Sequence, residues 1–171
     1  LMEGETRQKY RRGLLLHRLL EVLPGLPDDN TRQQKGRNFL AYSGTDFSPE
    51  KREQLLADAL AVIASHPELF GEGYRPEATL AMAGKQGQRL KGRVDCLRVT
   101  PDAVYITDYK TDVTPPETVP AAYRKQLQAY AAMARSIWPD RPVKTAILWT
   151  TPTPPRLVRV ENEPVKSESG V

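Results

Sequence analysis

Residues 103–110 read AVYITDYK, and the rest of the chain can be read outward from them. β-Branched and aromatic residues dominate the run, which suits a strand covered on both faces. It lies between a Pro101-Asp102 turn and a proline-rich stretch over 111–120, so it is expected to be a central strand. Alternation puts Val104, Ile106 and Asp108 on one face. Two of these are apolar, so the carboxylate of Asp108 occupies a position marked inward, two residues before Lys110. A buried carboxylate is costly unless it is paired, hydrogen-bonded or bound to a cation. An acid-x-lysine triplet alone arises by chance about once in a chain of this size, so its weight depends on its surroundings.

Upstream, Leu80 and Met82 alternate with their neighbours up to Gly84-Lys85-Gln86-Gly87, a turn signal, and 89–99 resumes the extended pattern. The span 77–99 therefore reads as a hairpin. Its second strand carries Gly92-Arg93-Val94-Asp95, placing an aspartate one connection away from Asp108. Antiparallel neighbours lie about 4.8 Å apart, and two inward acids at that spacing suit a shared divalent cation with oxygen ligands at about 2.0–2.6 Å. Gly92 would admit a close backbone or phosphate, or mark a bulge. Glu77, at the start of the hairpin, is either a third acid at the site or a surface acid at a strand edge.

Charge is concentrated in the same place. Lys85, Arg89, Lys91, Arg93 and Arg98 stand against Asp95 alone, which gives +4 and equals the net charge of the whole chain. A basic segment around a single acid suits a polyanion lying over a site that needs a carboxylate. Arg89, Lys91 and Arg93 are the expected backbone contacts.

Further out the period becomes helical. Over 7–23, apolar residues fall at 10, 14, 16, 19, 20 and 23, with His17 on the stripe of Tyr10, Leu14 and Glu21. A histidine there is more often a satisfied core or surface residue than a ligand. A weaker pattern covers 33–42, and Ser48-Pro49 opens a helix over 50–64. Over 120–138, Tyr123, Leu127, Tyr130, Ala134 and Ile137 form an amphipathic stripe, with Gln126 four residues before Tyr130. Strands are expected at 143–151 and at 156–160, the latter on an edge. The expected fold is α/β, a mixed sheet flanked by helices. It forms one domain over 1–160, with N-terminal helices over about 7–64 and a sheet core over about 74–160. A polar tail over 161–171 is expected to be disordered.

With 171 residues and 39% hydrophobic composition, one core suffices for folding. The single cysteine, Cys96, cannot supply an intramolecular disulfide or an iron–sulfur cluster. No GxxxxGK[ST] phosphate loop occurs, so an ATP site is not expected. Neither a secretory leader nor a run of about 20 apolar residues is present, and no membrane contact is expected. A start at Leu1 suggests a piece of something longer.

Four elements occur in order: Gly13-x-x-x-His17-x-x-x-Glu21, Gly92-Arg93-Val94-Asp95, Asp108-Tyr109-Lys110-Thr111 and Gln126-Leu127-x-x-Tyr130. This order resembles the RecB-type branch of the PD-(D/E)XK nucleases. Over about residues 8–151 it is similar to the nuclease domains at the C-terminus of AddA-type bacterial helicase–nucleases. The resemblance implies a restriction-endonuclease-like fold and an Mg²⁺-dependent deoxyribonuclease, with Mn²⁺ able to substitute. The expected reaction is exonucleolytic, in the repair and recombination of double-strand DNA ends. It implies His17, Asp95, Asp108 and the Tyr109 carbonyl as metal ligands, Asp95, Asp108 and Lys110 as the catalytic set, and Gln126 and Tyr130 as support for the lysine and contacts for DNA. Glu77 matches an additional acid only loosely. Implied partners are DNA, single- or double-stranded, a helicase portion of the same polypeptide and an AddB-type subunit, in a bacterial, nucleoid-associated cytoplasmic setting. Alternatives are an inactive nuclease fold kept as a DNA-binding scaffold, and a stand-alone structure-specific endonuclease.

Overall fold

The computed structural model describes residues 2–112 and 115–161; the tail expected over 161–171 lies outside them except for Glu161. The chain runs through α1 (Met2–Val22), α2 (Asp29–Ser43), α3 (Pro49–Ser65) and a short 3-10 turn at Pro67–Phe70. It continues through β1 (Tyr74–Ala83), β2 (Arg89–Val99), β3 (Val104–Lys110), α4 (Ala121–Ile137), β4 (Val143–Trp149) and β5 (Arg156–Val160). Five strands form one mixed sheet in the order β1-β2-β3-β4-β5. Only β3 and β4 run parallel, because α4 is the crossover between them. The strand holding AVYITDYK is indeed the central one.

Two apolar layers flank the sheet. On one face α1, α2 and α3 pack Leu16, Leu19, Leu20, Leu40, Leu55 and Ala59 against Cys96, Tyr109 and Leu148; on the other, α4 packs Leu127, Met133 and Ala134 against Val94, Ile106 and Ile147. Each fully buried leucine contributes roughly 2 kcal/mol of transfer free energy. The close approach of α2 to α3 depends on Gly36, where a Cβ would stand 2.3 Å from a Leu56 methyl.

Helix ends differ from expectation for local reasons. α2 is longer than 33–42 because Asp28 caps it, accepting the Thr31 N–H at 2.7 Å. α1 starts at Met2 rather than near residue 7, and its first two turns are polar and exposed. The apolar stripe of α1 is also displaced. The buried residues are Leu15, Leu16, Leu19, Leu20 and Leu23, whereas Tyr10 and Leu14 are 68% and 42% exposed.

Candidate active site

The site lies where the ladder between β2 and β3 stops. Its last rungs are Leu97 with Ile106 and Cys96 with Thr107; the next pair would be Asp95 with Asp108, and it is not formed. A side chain replaces the missing backbone bond, because Asp95 Oδ2 accepts the Tyr109 N–H at 2.8 Å. On the outer side, β1 and β2 also skip a rung between Pro76–Cys96 and Ala78–Val94. There Glu77 adopts a left-handed φ of 49°, a conformation that costs a non-glycine residue on the order of 1 kcal/mol. Two neighbouring irregularities thus turn Asp95 and Glu77 out of the regular sheet. Beyond this point the ladder pairing of Asp108, Tyr109 and Lys110 is, among the described residues, with β4, opposite Ile147, Leu148 and Trp149.

Helices complete the cluster. On α1, Gly13 sits close enough to the chain after β3 that a Cβ would lie 3.2 Å from Thr111 Oγ1. One turn later the His17 ring is fixed at both nitrogens, Nδ1 with the Gly13 carbonyl at 2.8 Å and Nε2 with Asp95 Oδ2 at 3.2 Å. On α4, Gln126 Nε2 donates to Tyr130 Oη at 3.0 Å, and Lys110 Nζ reaches Gln126 Oε1 at 3.5 Å. Lys110 also lies 2.8 Å from Asp108 Oδ2 and 4.1 Å from the centre of the Tyr123 ring.

The two aspartates divide their charge unequally. Burial raises Asp108, the neighbouring Asp95 raises it further, and Lys110 only partly opposes them, leaving it at about 6. Burial also acts on Asp95, but hydrogen bonds from His17 and from the Tyr109 N–H prevail and lower it. For His17, burial is outweighed by Asp95, which takes the imidazole up to about 9. Lys110 is likewise raised, since Asp108 outweighs desolvation. Near neutral pH Lys110 is therefore a fixed positive charge and not a proton acceptor.

A divalent cation fits this donor set. Asp108 Oδ2 is buried and meets, among the described residues, the Lys110 ammonium at 2.8 Å. Asp108 stands beside the Lys110 ammonium and Asp95 beside the His17 imidazolium, so a divalent cation would take the place of the His17 proton. Among the described residues no three His, Cys, Asp or Glu side chains form a ready-made metal cage. Mg²⁺ does not require one, since it is commonly held by one or two carboxylates together with waters and substrate phosphates.

His17, Asp95, Asp108, Lys110, Gln126 and Tyr130, expected from sequence, all come together. Glu77 joins them rather than lying on the outer surface: its side chain is 14% exposed and acts electrostatically on both Asp95 and His17. It also binds Arg93 at 2.7 Å, so Arg93 is not the free cation its sequence position suggested. Gly92 has a different task from those anticipated. A Cβ there would stand 2.7 Å from the Tyr130 ring, so the glycine lets α4 settle on β2. Sequence reasoning missed Tyr123, whose ring faces Lys110 and whose hydroxyl donates to Asp112 Oδ2 at 3.3 Å. Its signal was one helical turn before Gln126, where a regular stripe made it look like an ordinary core residue.

No curated protein sequence matches the chain. Among solved structures, the crystal structure of SSO0001 superposes with a TM-score of 0.45 at 17% identity, covering 90% of this chain and 78% of that one. A family model for the PD-(D/E)XK nuclease superfamily matches residues 2–170, and the chain, with its mixed five-stranded sheet between helical layers, belongs to that superfamily.

Proposed function

We propose that the protein is an Mg²⁺-dependent deoxyribonuclease of the RecB-type branch, acting exonucleolytically as the nuclease module of an AddA-like helicase–nuclease that processes double-strand DNA ends. The observation that carries the nuclease reading is the Asp95–Asp108 pair at the opened ladder, with the Lys110 ammonium 2.8 Å from the buried Asp108 Oδ2. The ordered His17, Asp95, Asp108-x-Lys110 and Gln126–Tyr130 elements support the narrower assignment, and with it a helicase portion and an AddB-type partner.

The residues divide the work as follows. Asp95 and Asp108 would hold the cation, with His17 and the Tyr109 carbonyl as further ligands on the RecB-type pattern. A cation bound there supplies Lewis acidity, polarising water and neutralising charge on the phosphoryl oxygens. Lys110 adds a second, permanent positive charge where the pentavalent phosphorus accumulates negative charge, and its preorganisation by Tyr123 and Gln126 avoids reorganisation during reaction. Tyr130 holds the Gln126 amide and so fixes its carbonyl toward the ammonium. His17 must give up its proton before it can ligate, which links cation binding to pH.

The test is degradation of end-labelled linear DNA in Mg²⁺ or Mn²⁺ by the protein and by identically purified Asp108→Ala and Lys110→Ala variants. The expected result is cation-dependent cleavage by the unmutated chain and loss in both variants. Cleavage at full rate by Asp108→Ala refutes the site. Failure of calorimetry to detect any divalent-cation binding by the unmutated chain refutes the metal-dependent reading.

A further inference from the structure

The helices on the α1 side do not cover their whole face of the sheet. They pack on Tyr109, Leu148 and Leu157, which form one row across β3, β4 and β5. Away from the candidate active site come two further rows on the same face, Cys96–Thr107–Ala146–Arg159 and Arg98–Tyr105–Lys144. Cys96 joins the packed layer, whereas Ala146 and Tyr105 do not. Thr107 and Ala146 are small and stand between long side chains, which leaves a cavity of about 190 Å³ above them, closed on one side by Leu69 of the 3-10 turn. Asp108 and Lys110 alternate to the opposite face, so this cavity is separate from the candidate active site.

The border of the cavity is cationic. Arg98, Lys144 and Arg159 line it against a single carboxylate, Glu68, whose Oε1 faces His66 Nδ1 at 3.2 Å; the lining therefore carries a net charge of +2. Arg98 and Lys144 come from the strands on either side of Tyr105 and lie 5.6 and 5.7 Å from the centre of its ring, close enough for the ring to hold both cations in place. Arg98 spends one N–H on the Glu72 carbonyl at 3.1 Å. Its other N–H groups, the Lys144 ammonium and the Arg159 guanidinium form no hydrogen bond or ion pair among the described residues. The floor adds a second, independent sign. Thr107 is 2% exposed, yet its hydroxyl has no hydrogen-bond partner among the described residues and opens onto the cavity. A buried hydroxyl left unpartnered is unfavourable, and a ligand with an acceptor oxygen would relieve it.

We propose that this cavity binds a small phosphate-bearing dianion, with Arg98, Lys144 and Arg159 on its outer oxygens and the Thr107 hydroxyl donating to it from below. The charge of a phosphate monoester near neutral pH, close to about −2, matches that of the lining. Arg98 comes from β2, Thr107 from β3, Lys144 from β4 and Arg159 from β5. Donors converging from four strands suit a tetrahedral oxyanion better than a planar carboxylate, which takes its donors in one plane. Size sets the rest. Clefts for drug-sized ligands measure about 300–1,000 Å³, so this one takes inorganic phosphate or an ester of only a few carbons, and not a nucleic-acid strand. Binding here does not depend on the nuclease reading.

The test is an NMR titration of the full chain, labelled with nitrogen-15, in EDTA at pH 7.5 and constant ionic strength, first with inorganic phosphate and then with glycerol 3-phosphate. The expected result is saturable movement of the Thr107, Ala146 and Arg159 amide signals with one Kd, reproduced by sulfate and not by acetate. The Lys144→Met, Arg159→Gln double variant and the Thr107→Val variant should each bind about tenfold more weakly or worse, as expected for losing hydrogen bonds to a charged group. Arg89→Gln with Lys91→Gln removes the same charge from the hairpin and should leave binding unchanged. Tighter binding of the ester would identify a phosphorylated small molecule as the occupant, and equal affinity would identify free phosphate; both results uphold the site. Four results would overturn it: no movement of these amides at tens of millimolar phosphate, acetate acting as well as sulfate, equal loss in the hairpin variant, or a folded Thr107→Val chain that binds like the parent. Circular dichroism reports whether each variant is folded. Lys144 and Arg159 are exposed, so their double variant decides the matter even if Thr107→Val does not fold.

Discussion

Replacing Asp108 with asparagine should abolish function while making the cation-free protein more stable. In the fold the carboxyl is 6% exposed and titrates at about 6 instead of the ordinary 3.8, first through burial and then through the nearby Asp95. An acid whose folded-state value is raised favours folding when protonated and opposes it when ionised. Stability is therefore lost as pH climbs from below 3.8 through about 6 and is lowest above that range. A shift of about two pH units is worth roughly 3 kcal/mol. Asparagine removes that cost but leaves Lys110 without its partner at 2.8 Å, which returns part of the gain. The net expectation is about 1–2 kcal/mol, or roughly 2–8 °C in Tm for a domain of this size. The assay is thermal unfolding at pH 7.5 in EDTA and again at pH 4.5. The variant should melt higher at pH 7.5 and nearly level with the parent at pH 4.5. In millimolar Mg²⁺ the order at pH 7.5 should narrow or reverse, because only the parent gains from binding. A variant less stable than the parent at pH 7.5 in EDTA would refute the idea that this carboxylate is held ionised at a cost.

Other consequences follow from the same geometry. Cation affinity, measured by calorimetry, should fall as pH drops through about 6, where Asp108 takes up a proton; a flat profile between pH 7.5 and 5 would contradict the ligand assignment. His17, raised to about 9 by Asp95 despite burial, stabilises the cation-free fold fully below about 6.5 and loses that contribution as pH rises through about 9. His17→Gln should therefore flatten denaturant-measured stability over that interval. Gly92→Ala forces a carbon toward the Tyr130 ring and should cost about 1–3 kcal/mol through overpacking; equal urea midpoints would count against the close fit. Tyr123→Leu should lower kcat about tenfold with little change in KM, whereas Tyr123→Phe keeps the ring beneath Lys110 and should lose much less. Equal losses in the two variants would assign the effect to the hydroxyl and its Asp112 contact.

The sheet was readable because its strands carry local signals: alternation in the hairpin, β-branched density in 103–110, and turn residues between them. The nearness of Asp95 to Asp108 was readable for the same reason, since one short connection joins their strands. Three features were not. The left-handed backbone at Glu77 arises from a rung skipped between two strands, and no residue at that position announces it. Tyr10 and Leu14 satisfied a helical period equally well whether buried or exposed, because the neighbouring leucines supply a full stripe displaced by one residue. Gly92 was seen, but its partner Tyr130 lies 38 positions further on and arrives only through the packing of α4. In each case the missing information concerned which surface meets which, and that is settled by tertiary packing.

The one-sided anchoring of Asp108-Tyr109-Lys110 has a bearing on when activity can arise. Among the described residues the strand pairing of these three is with β4, and the Thr150 N–H closes that pairing on the Lys110 carbonyl at 3.0 Å. His17, synthesised long before, meets Asp95 of β2, but Asp108 and Lys110 are not set beside that pair until β4 arrives. As the polypeptide leaves the ribosome, the acids and the lysine emerge some 40 residues ahead of the strand that orients them, so a nascent chain halted before Thr150 would carry every site residue and yet be harmless to nucleic acid. Completion of β4 thus acts as a safety catch, timed by chain order alone.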